Sequence, residues 1–200
     1  SRFGIITDYL PNRRADGRPV GMPSDDTQLT FWSLDRLIKD DGLVPDHLAS
    51  AFSDRRVFGI GSSVRKFLRR YKDNRIPWEQ AGVNSAGNGA LMRISPILIP
   101  HLRTPSSAIW ADAALAGMIT HNDRSSNAAC VAFTRMLWEL LHMDSAPDKG
   151  WWMTRYCEIV SCLEGDARCR SRHDNPEYQH EGPIWRFIQD RVSPTLECGV

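Results

Sequence analysis

Two adjacent carboxylates precede the first long apolar pattern of the sequence. Asp25 and Asp26 follow Ser24 in the segment GMPSDDTQLT, residues 21–30. A serine at the N-cap and two aspartates in the first turn complement free backbone amides and the helix dipole, and such a cap stabilises a helix by about 0.5–2 kcal/mol. The same oxygens are ligands for a hard divalent cation. Taken alone, the segment favours the helix cap over the metal site.

A second polar segment, NSAGNGALMR at residues 84–93, places two glycines around Asn88. Glycine lets backbone amides approach a ligand closely, and successive amides form nests that bind phosphate oxygens. No Gly-Lys-Ser/Thr sequence follows, so the segment is not a Walker A motif. Its simpler interpretation is an Asn-Gly turn, which the local pattern favours.

A third polar segment, THND at residues 120–123, interrupts a pattern that is otherwise helical. His121 in such a break caps the carboxyl end of a helix in the simpler interpretation and contacts a ligand in the other. Each of the three segments has an ordinary structural explanation. Their occurrence together in one chain favours a shared site over three separate coincidences.

The elements that must position these segments are predicted to be helices. The clearest spans residues 25–41, where Gly42 is placed as the C-terminal cap and apolar side chains recur at helical spacing at Leu29, Trp32, Leu34, Leu37 and Ile38. Further helices are predicted near residues 46–52, from 62 or 63 to 71, from Thr104-Pro105 to 119, over 125–143 and over 151–163. Because no alternating strands and no fixed repeat occur, the sequence predicts an all-α fold, with the polar segment 165–183 as a surface excursion.

Composition limits the classes of function. A chain of 200 residues with 42% hydrophobic residues suffices for one core, and 25 basic residues nearly balance 24 acidic ones, so net charge indicates no nucleic-acid partner. The basic run at residues 65–72 is interpreted as a solvated helix face, with a helical scaffold that binds a partner or nucleic acid as a remaining alternative. The apolar runs are far shorter than the roughly 20 residues of a membrane span. Five cysteines without a C-x-x-C pair favour the reducing cytoplasm.

With these segments in place, the sequence resembles the ADP-ribosylglycohydrolase family, of the dinitrogenase-reductase-activating type. The matching elements are RFGIITDYLP at residues 2–11, SDDTQLT at 24–30, SAGNGALMRISPI at 85–97 and ITHND at 119–123. The resemblance extends from residue 2 to about residue 133. It implies a compact, multi-helix all-α domain whose central cleft holds two Mg²⁺ or Mn²⁺ ions.

The resemblance also implies roles for particular residues. It implies metal ligation by Ser24, Asp25 and Asp26, with Asp25 or Asp26 as the catalytic carboxylate. The implied contacts to ADP-ribose come from the glycine loop and the histidine, namely Ser85, Gly87, Asn88, Gly89, Met92 and His121. The implied reaction is hydrolysis of an N- or O-glycosidic bond that releases ADP-ribose from a protein side chain or a related small conjugate. The alternative is a catalytically silent, ADP-ribose-binding or structural member.

The sequence departs from the family pattern in three places. The second metal half-site, a Gly-Gly-Asp-Thr-Asp-Thr type of element, does not occur in these 200 residues, and neither does the opening helix of the family. We therefore expect residues 1–200 to form a single domain that is incomplete at both ends. Gly59 occupies a position where the dinitrogenase-reductase branch carries an acidic residue, so an arginine-linked substrate does not follow from the resemblance.

Overall fold

The computed structural model describes residues 8–170 and 179–197. These two stretches contain nine α-helices, short 3-10 and π turns, and one small sheet. The helices are α1 (Asp25–Asp40), α2 (Pro45–Asp54), α3 (Ser62–Leu68), α4 (Trp78–Ala81), α5 (Leu98–Arg103), α6 (Ala108–Met118), α7 (Arg124–Leu140), α8 (Trp151–Glu164) and α9 (Ile184–Glu197). The sheet pairs β1 (Cys169–Arg170) with β2 (Glu181–Gly182) in antiparallel register. The all-α prediction is confirmed.

Two apolar clusters hold these helices together. The main cluster joins α1, α2, α3, α6 and the segment that follows the glycine loop, with fully buried members that include Leu29, Phe52, Phe67, Ile94 and Ile119. The second cluster lies between α7 and α8 and contains buried residues such as Ala132, Met136 and Val160. Helix α7 contacts α6 on one side and α8 on the other, and α8 in turn contacts α9. The start of α7 therefore lies between the main core and the carboxyl-terminal helices.

The ends of α1 depart from the prediction at one position. Asp41 rather than Gly42 is the C-cap and has left-handed backbone angles, with φ 54° and ψ 35°. The backbone amides of both residues donate to the carbonyl oxygen of Leu37. Aspartate tolerates this region because its short polar side chain interacts locally. Gly42 therefore predicted where the helix ends, but the C-cap is the preceding residue, Asp41.

Other helix boundaries also differ from the prediction. Helix α6 begins at Ala108 rather than at Thr104-Pro105, because the hydroxyl of Ser106 accepts a hydrogen bond from the amide of Ala108 (3.1 Å) in a turn ahead of the helix. Helix α5 was not predicted. Its Pro100 lies in the first turn, where a missing amide leaves no intrahelical bond unmade. The helix predicted from residue 62 or 63 to 71 is α-helical only as far as Leu68. The π turn Arg69–Asp73 follows it directly.

The polar segment 165–183 is partly described. Its two flanks pair as β1 and β2, with Cys169 opposite Gly182 and Arg170 opposite Glu181. The first six residues of the RFGIITDYLP element lie outside the described residues, as does Cys198. None of the helices that the structure describes is long and apolar enough to cross a membrane.

Candidate functional site

The acidic helix start lies at the first turn of α1. Ser24 is the N-cap, with extended backbone angles of φ −73° and ψ 178°, and Asp25 and Asp26 follow in the first turn. The Ser24 hydroxyl makes no capping bond to a backbone amide and instead donates to Oδ2 of Asp26 at 2.9 Å. The predicted helix start is confirmed, but the Ser24 side chain bonds to Asp26 rather than to a backbone amide of the helix.

The two carboxylates differ in their surroundings. Asp25 is 9% exposed, whereas Asp26 is exposed to solvent. Burial and the neighbouring charge of Asp26 raise the pKa of Asp25 above its ordinary value. This is the expected response of a carboxylate that loses hydration beside a second negative charge. The acidic helix start therefore concentrates negative charge at a partly enclosed position.

Gly59 closes over the buried carboxylate. The side-chain oxygen of Gln28 accepts the amide of Phe58 at 2.8 Å, which holds the adjacent loop against α1. Gly59 has φ +82°, and a Cβ atom at this residue would lie 3.3 Å from Oδ1 of Asp25. A larger side chain here would meet Asp25, so Gly59, the position of the expected departure from the dinitrogenase-reductase branch, lies directly at the acidic helix start.

The glycine loop, defined here as residues 84–89, is attached to two helices. The Ser63 hydroxyl of α3 donates to the Ser85 hydroxyl at 3.0 Å, and the Ser126 hydroxyl of α7 donates to the carbonyl oxygen of Gly87 at 3.2 Å. Ser126 lies in the first turn of α7, where its amide donates to the N-cap Asp123 at 3.0 Å. The conformation of the loop is thus tied to the start of α7.

His121 packs underneath this loop. Its side chain is 2% exposed. A Cβ atom on Gly89 would lie 2.7 Å from Cε1 and 3.1 Å from Nε2 of the ring, and one on Gly87 would lie 3.5 Å from Nε2. Burial and the charge of Arg93 lower the pKa of His121 to about 4, so the ring is neutral at pH 7. Its side chain faces the loop, and its contact with a ligand stays a prediction.

A cavity of about 530 Å³ opens beside the glycine loop. Asp123, Arg168, Arg170 and Phe187 line it together with the loop, and the rings of Phe187 and His180 lie 5.2 Å apart. The sheet and the start of α9 therefore form one wall of the cavity, which brings basic and aromatic side chains to the loop.

This wall is held by a buried carboxylate. Glu164, at the end of α8, is fully buried and accepts hydrogen bonds from the amides of Ile184 (3.0 Å) and Trp185 (3.1 Å). It also accepts one from the hydroxyl of Ser125 in α7. Because Glu164 caps α9 and contacts the start of α7, it fixes the cavity wall relative to the glycine loop.

The predicted site residues fall into two groups. Ser85, Gly87 and Gly89 lie with His121, while Ser24, Asp25 and Asp26 lie at the start of α1. Within the part of the chain that the structure describes, no hydrogen bond joins the two groups directly. Thr30 of α1 lies between them: its hydroxyl donates to the carbonyl oxygen of Asp26 at 2.6 Å and lies 3.3 Å from the carbonyl oxygen of Met92.

The remaining predicted residues have different surroundings. Asn88 is exposed, and its carbonyl oxygen accepts the amide of Met92 at 3.1 Å. The Met92 side chain packs against the main core. The described residues contain no group of three or more His, Cys, Asp or Glu side chains that could hold a metal ion. The ligand roles of all these residues stay predictions.

The residues of the cavity wall were not predicted from the sequence. Arg168, Arg170 and Phe187 lie in or beside a polar segment without periodicity, so no pattern marked them. Arg93 and Thr120 lie inside two of the motifs, but only the fold shows that Arg93 bonds to Thr120 and that Thr120 bonds to His121.

Two comparisons with known proteins bear on the family of this chain. A family model described as ADP-ribosylglycohydrolase matches residues 2–189. The ADP-ribosyl-[dinitrogen reductase] glycohydrolase of Rhodospirillum rubrum is 30% identical over 127 residues, which make up 60% of this chain and 42% of that protein. The chain thus spans less than half the length of this relative. The family match includes both groups of predicted site residues and most of the cavity wall.

Proposed function

The chain belongs to the ADP-ribosylglycohydrolase family, and we propose that it is a hydrolase that releases ADP-ribose from an ADP-ribosylated protein side chain or a related small conjugate. The bond cleaved is an N- or O-glycosidic bond at the anomeric carbon of the ribose. The observation that carries this proposal is the glycine loop packed on a neutral His121 at the edge of a cavity with two arginines.

The cavity suits the nucleotide part of ADP-ribose. Its volume of about 530 Å³ lies within the range of roughly 300–1,000 Å³ that small-molecule sites occupy. Arg168 and Arg170 supply positive charge and planar donors for a diphosphate, while Phe187 and His180 offer flat faces for a base. The backbone of Ser85, Gly87, Asn88 and Gly89 would contact the phosphate or ribose oxygens.

The acidic helix start fits part of the coordination shell of Mg²⁺. Ser24, Asp25 and Asp26 supply hard oxygen ligands from consecutive residues, and a cation would relieve the repulsion and desolvation that raise the pKa of Asp25. We propose that these residues hold one of two Mg²⁺ ions, with Mn²⁺ as the other candidate metal. When bound, the ions lower the pKa of a coordinated water and polarise the ribose hydroxyls.

The carboxylates have a second task in the proposed reaction. As the bond between the anomeric carbon and the leaving nitrogen or oxygen breaks, positive charge develops on the ribose, and a nearby carboxylate stabilises it. Water forms the new bond to the anomeric carbon and loses a proton, while the leaving group takes one up. We assign the stabilisation of this charge, or the transfer of the proton, to Asp25 or Asp26.

The test is incubation of the full-length gene product with ADP-ribosylated arginine, serine and DNA substrates, with and without Mg²⁺. We expect metal-dependent release of free ADP-ribose from at least one protein linkage. If no ADP-ribose is released from any substrate with metal present, the proposed hydrolase activity is contradicted. If ADP-ribose still bound, that result would leave the catalytically silent family member as the function. The cytoplasmic location stays a prediction.

A further inference from the structure

Three residues form a buried row beneath the glycine loop. Arg93, Thr120 and His121 are 1%, 0% and 2% exposed. Nη2 of Arg93 donates to the carbonyl oxygen of Ala116 at 3.0 Å and to Oγ1 of Thr120 at 2.8 Å. The same Oγ1 lies 2.9 Å from Nδ1 of His121. The row therefore connects a guanidinium to one ring nitrogen of the histidine through a single hydroxyl.

The direction of these hydrogen bonds follows from the inventory of donors. A guanidinium has donors only, so Oγ1 of Thr120 must accept from Arg93. The Thr120 hydroxyl proton then needs an acceptor, and His121 Nδ1 is the remaining polar atom within reach among the described residues. If Nδ1 carried a proton instead, the hydroxyl proton would be buried without a partner, which is costly. The row is satisfied when Nδ1 is unprotonated.

We infer that Arg93 and Thr120 are positioning residues that fix His121 in the Nε2–H tautomer, so that Nε2–H donates to an oxygen of the ligand bound at the glycine loop. The identity of that ligand, ADP-ribose, rests on the proposed function. The tautomer itself rests only on the contacts of this chain.

The surroundings of the second ring nitrogen, Nε2, agree with this assignment. Nε2 points toward Gly87 and Gly89, where a Cβ atom would lie 3.5 and 3.1 Å away. In residues 8–170 and 179–197, Nε2 has no hydrogen-bond partner, and it is not among the fully buried polar atoms that lack one, so it remains accessible to water or a ligand. Burial and the charge of Arg93 lower the pKa of His121 to about 4. The ring therefore presents one neutral donor, whose place is set by the hydrogen bond on the opposite nitrogen.

Arg93 is well suited to hold this row in one state. Its guanidinium lies 4.7 Å from the ring centroid of Phe52 and has no carboxylate partner in the described part of the chain. Burial lowers its pKa to about 10, so it remains charged at neutral pH. A charged guanidinium cannot accept a hydrogen bond. The Thr120 hydroxyl therefore cannot donate to Arg93, and the direction of this hydrogen bond is fixed.

The test reads the protonation of both ring nitrogens by ¹⁵N NMR of histidine-labelled protein at pH 7. We expect a protonated Nε2 and a bare Nδ1 in the unliganded wild type. In Thr120→Val the hydroxyl is lost at nearly constant shape, so we expect a mixture of tautomers and about tenfold weaker binding of ADP-ribose. Thr120→Ser restores the hydroxyl and should restore both. Thr134→Val removes another buried hydroxyl, in α7, and should change neither.

The outcomes separate this inference from the proposed function. A protonated Nδ1 in the wild type, or an unchanged tautomer in Thr120→Val, would overturn the inference. Binding of ADP-ribose that leaves the Nε2 resonance in place would do the same. Failure of ADP-ribose to bind a protein with the expected tautomer would overturn the proposed function instead. If Thr120→Val does not fold, the wild-type spectrum and Thr120→Ser still decide the tautomer.

Discussion

The two halves of the candidate site differ in how their polar atoms are satisfied. At the histidine side, Arg93, Thr120 and His121 form a buried row of hydrogen bonds, and helices on both sides hold the glycine loop. At the acidic helix start, Ser24 and Asp26 contact each other, and Asp25 is partly enclosed beside a second carboxylate.

This difference indicates that the two halves recognise different chemistry. The histidine side presents hydrogen-bond donors in fixed positions, and its glycines let a ligand approach the backbone closely. This arrangement suits a neutral or anionic ligand and needs little rearrangement of the protein. The acidic side presents like charges at close range, which suits a cation. The two halves would thus divide the proposed nucleotide recognition from the proposed metal chemistry.

The strongest test of the comparison removes both carboxylates. Asp25→Asn with Asp26→Asn keeps the shape of the helix start but removes its charge, so we expect Mg²⁺ binding to be lost and turnover to fall on the order of 10³-fold. Metal titration calorimetry and ADP-ribose release measure the two effects. Asp46→Asn, in the first turn of α2, is the control for a general helix-dipole effect. Unchanged metal affinity in the double variant would return Asp25 and Asp26 to a purely structural role.

The histidine side is expected to make stability depend on pH. The pKa of His121 falls from an ordinary 6.5 to about 4 on folding, so between these values the unfolded chain binds more protons. The free energy of unfolding should therefore decrease as pH falls from 6.5 to 4, by about 3 kcal/mol over the window. The raised pKa of Asp25 acts in the opposite direction near the acid end.

Urea unfolding at several pH values measures this dependence. His121→Asn removes the titrating group and should flatten the curve between pH 6.5 and 4. His142→Asn changes an exposed histidine and should leave the curve as it is. A wild-type curve that is flat over this window would contradict the burial of a neutral His121.

A smaller effect is expected from filling the space between the loop and the histidine. In Gly89→Ala the new methyl group would lie 2.7 Å from Cε1 of a buried ring that Thr120 holds in place. We expect a loss of about 1–3 kcal/mol in stability, typical of overpacking, and weaker ADP-ribose binding. Gly61→Ala, where nothing lies within 4 Å of the new atom, is the matched control. Equal thermal stability of the two variants would argue against this packing.

The smallest effect concerns Gly59, where the acidic side is closed. Gly59→Ala and Gly17→Ala both introduce a side chain at positive φ, +82° and +78° respectively, and each should cost about 1 kcal/mol. Only the first places a methyl group 3.3 Å from Oδ1 of Asp25. We therefore expect Gly59→Ala alone to change Mg²⁺ affinity, as measured by calorimetry. The same Mg²⁺ affinity in both variants would show that the Gly59 position does not affect the proposed metal site.

The sequence predicted most of the long helices but few of their exact ends. Helices α1, α7 and α8 lie within about three residues of their predicted bounds, because their apolar periodicity is sustained over several turns. Helices α4 and α9 were not predicted, and neither were helix α5 and the start of α6. The last two have a local cause. There, prolines and a serine side chain decide the backbone locally, and these short-range interactions leave no periodic signal.

The motifs of the candidate site were visible in the sequence, but their partners were not. The glycine loop and His121 are separate quoted segments, and only folding places Nε2 beside Gly89. The cavity wall with Arg168 and Arg170 depends on Glu164, which caps a helix that begins 20 residues later in the chain. No local pattern encodes a contact of this kind.

The sequence by itself determined the helical class, the order of the three polar motifs and the need for glycine at the loop. These properties follow from periodicity, residue type and backbone freedom, which act over a few neighbouring residues. The tertiary structure alone decided which carboxylate is enclosed, why His121 is neutral and which of its nitrogens faces the loop. Desolvation and the direction of a hydrogen bond depend on atoms that are distant in the chain, and only packing brings those atoms together.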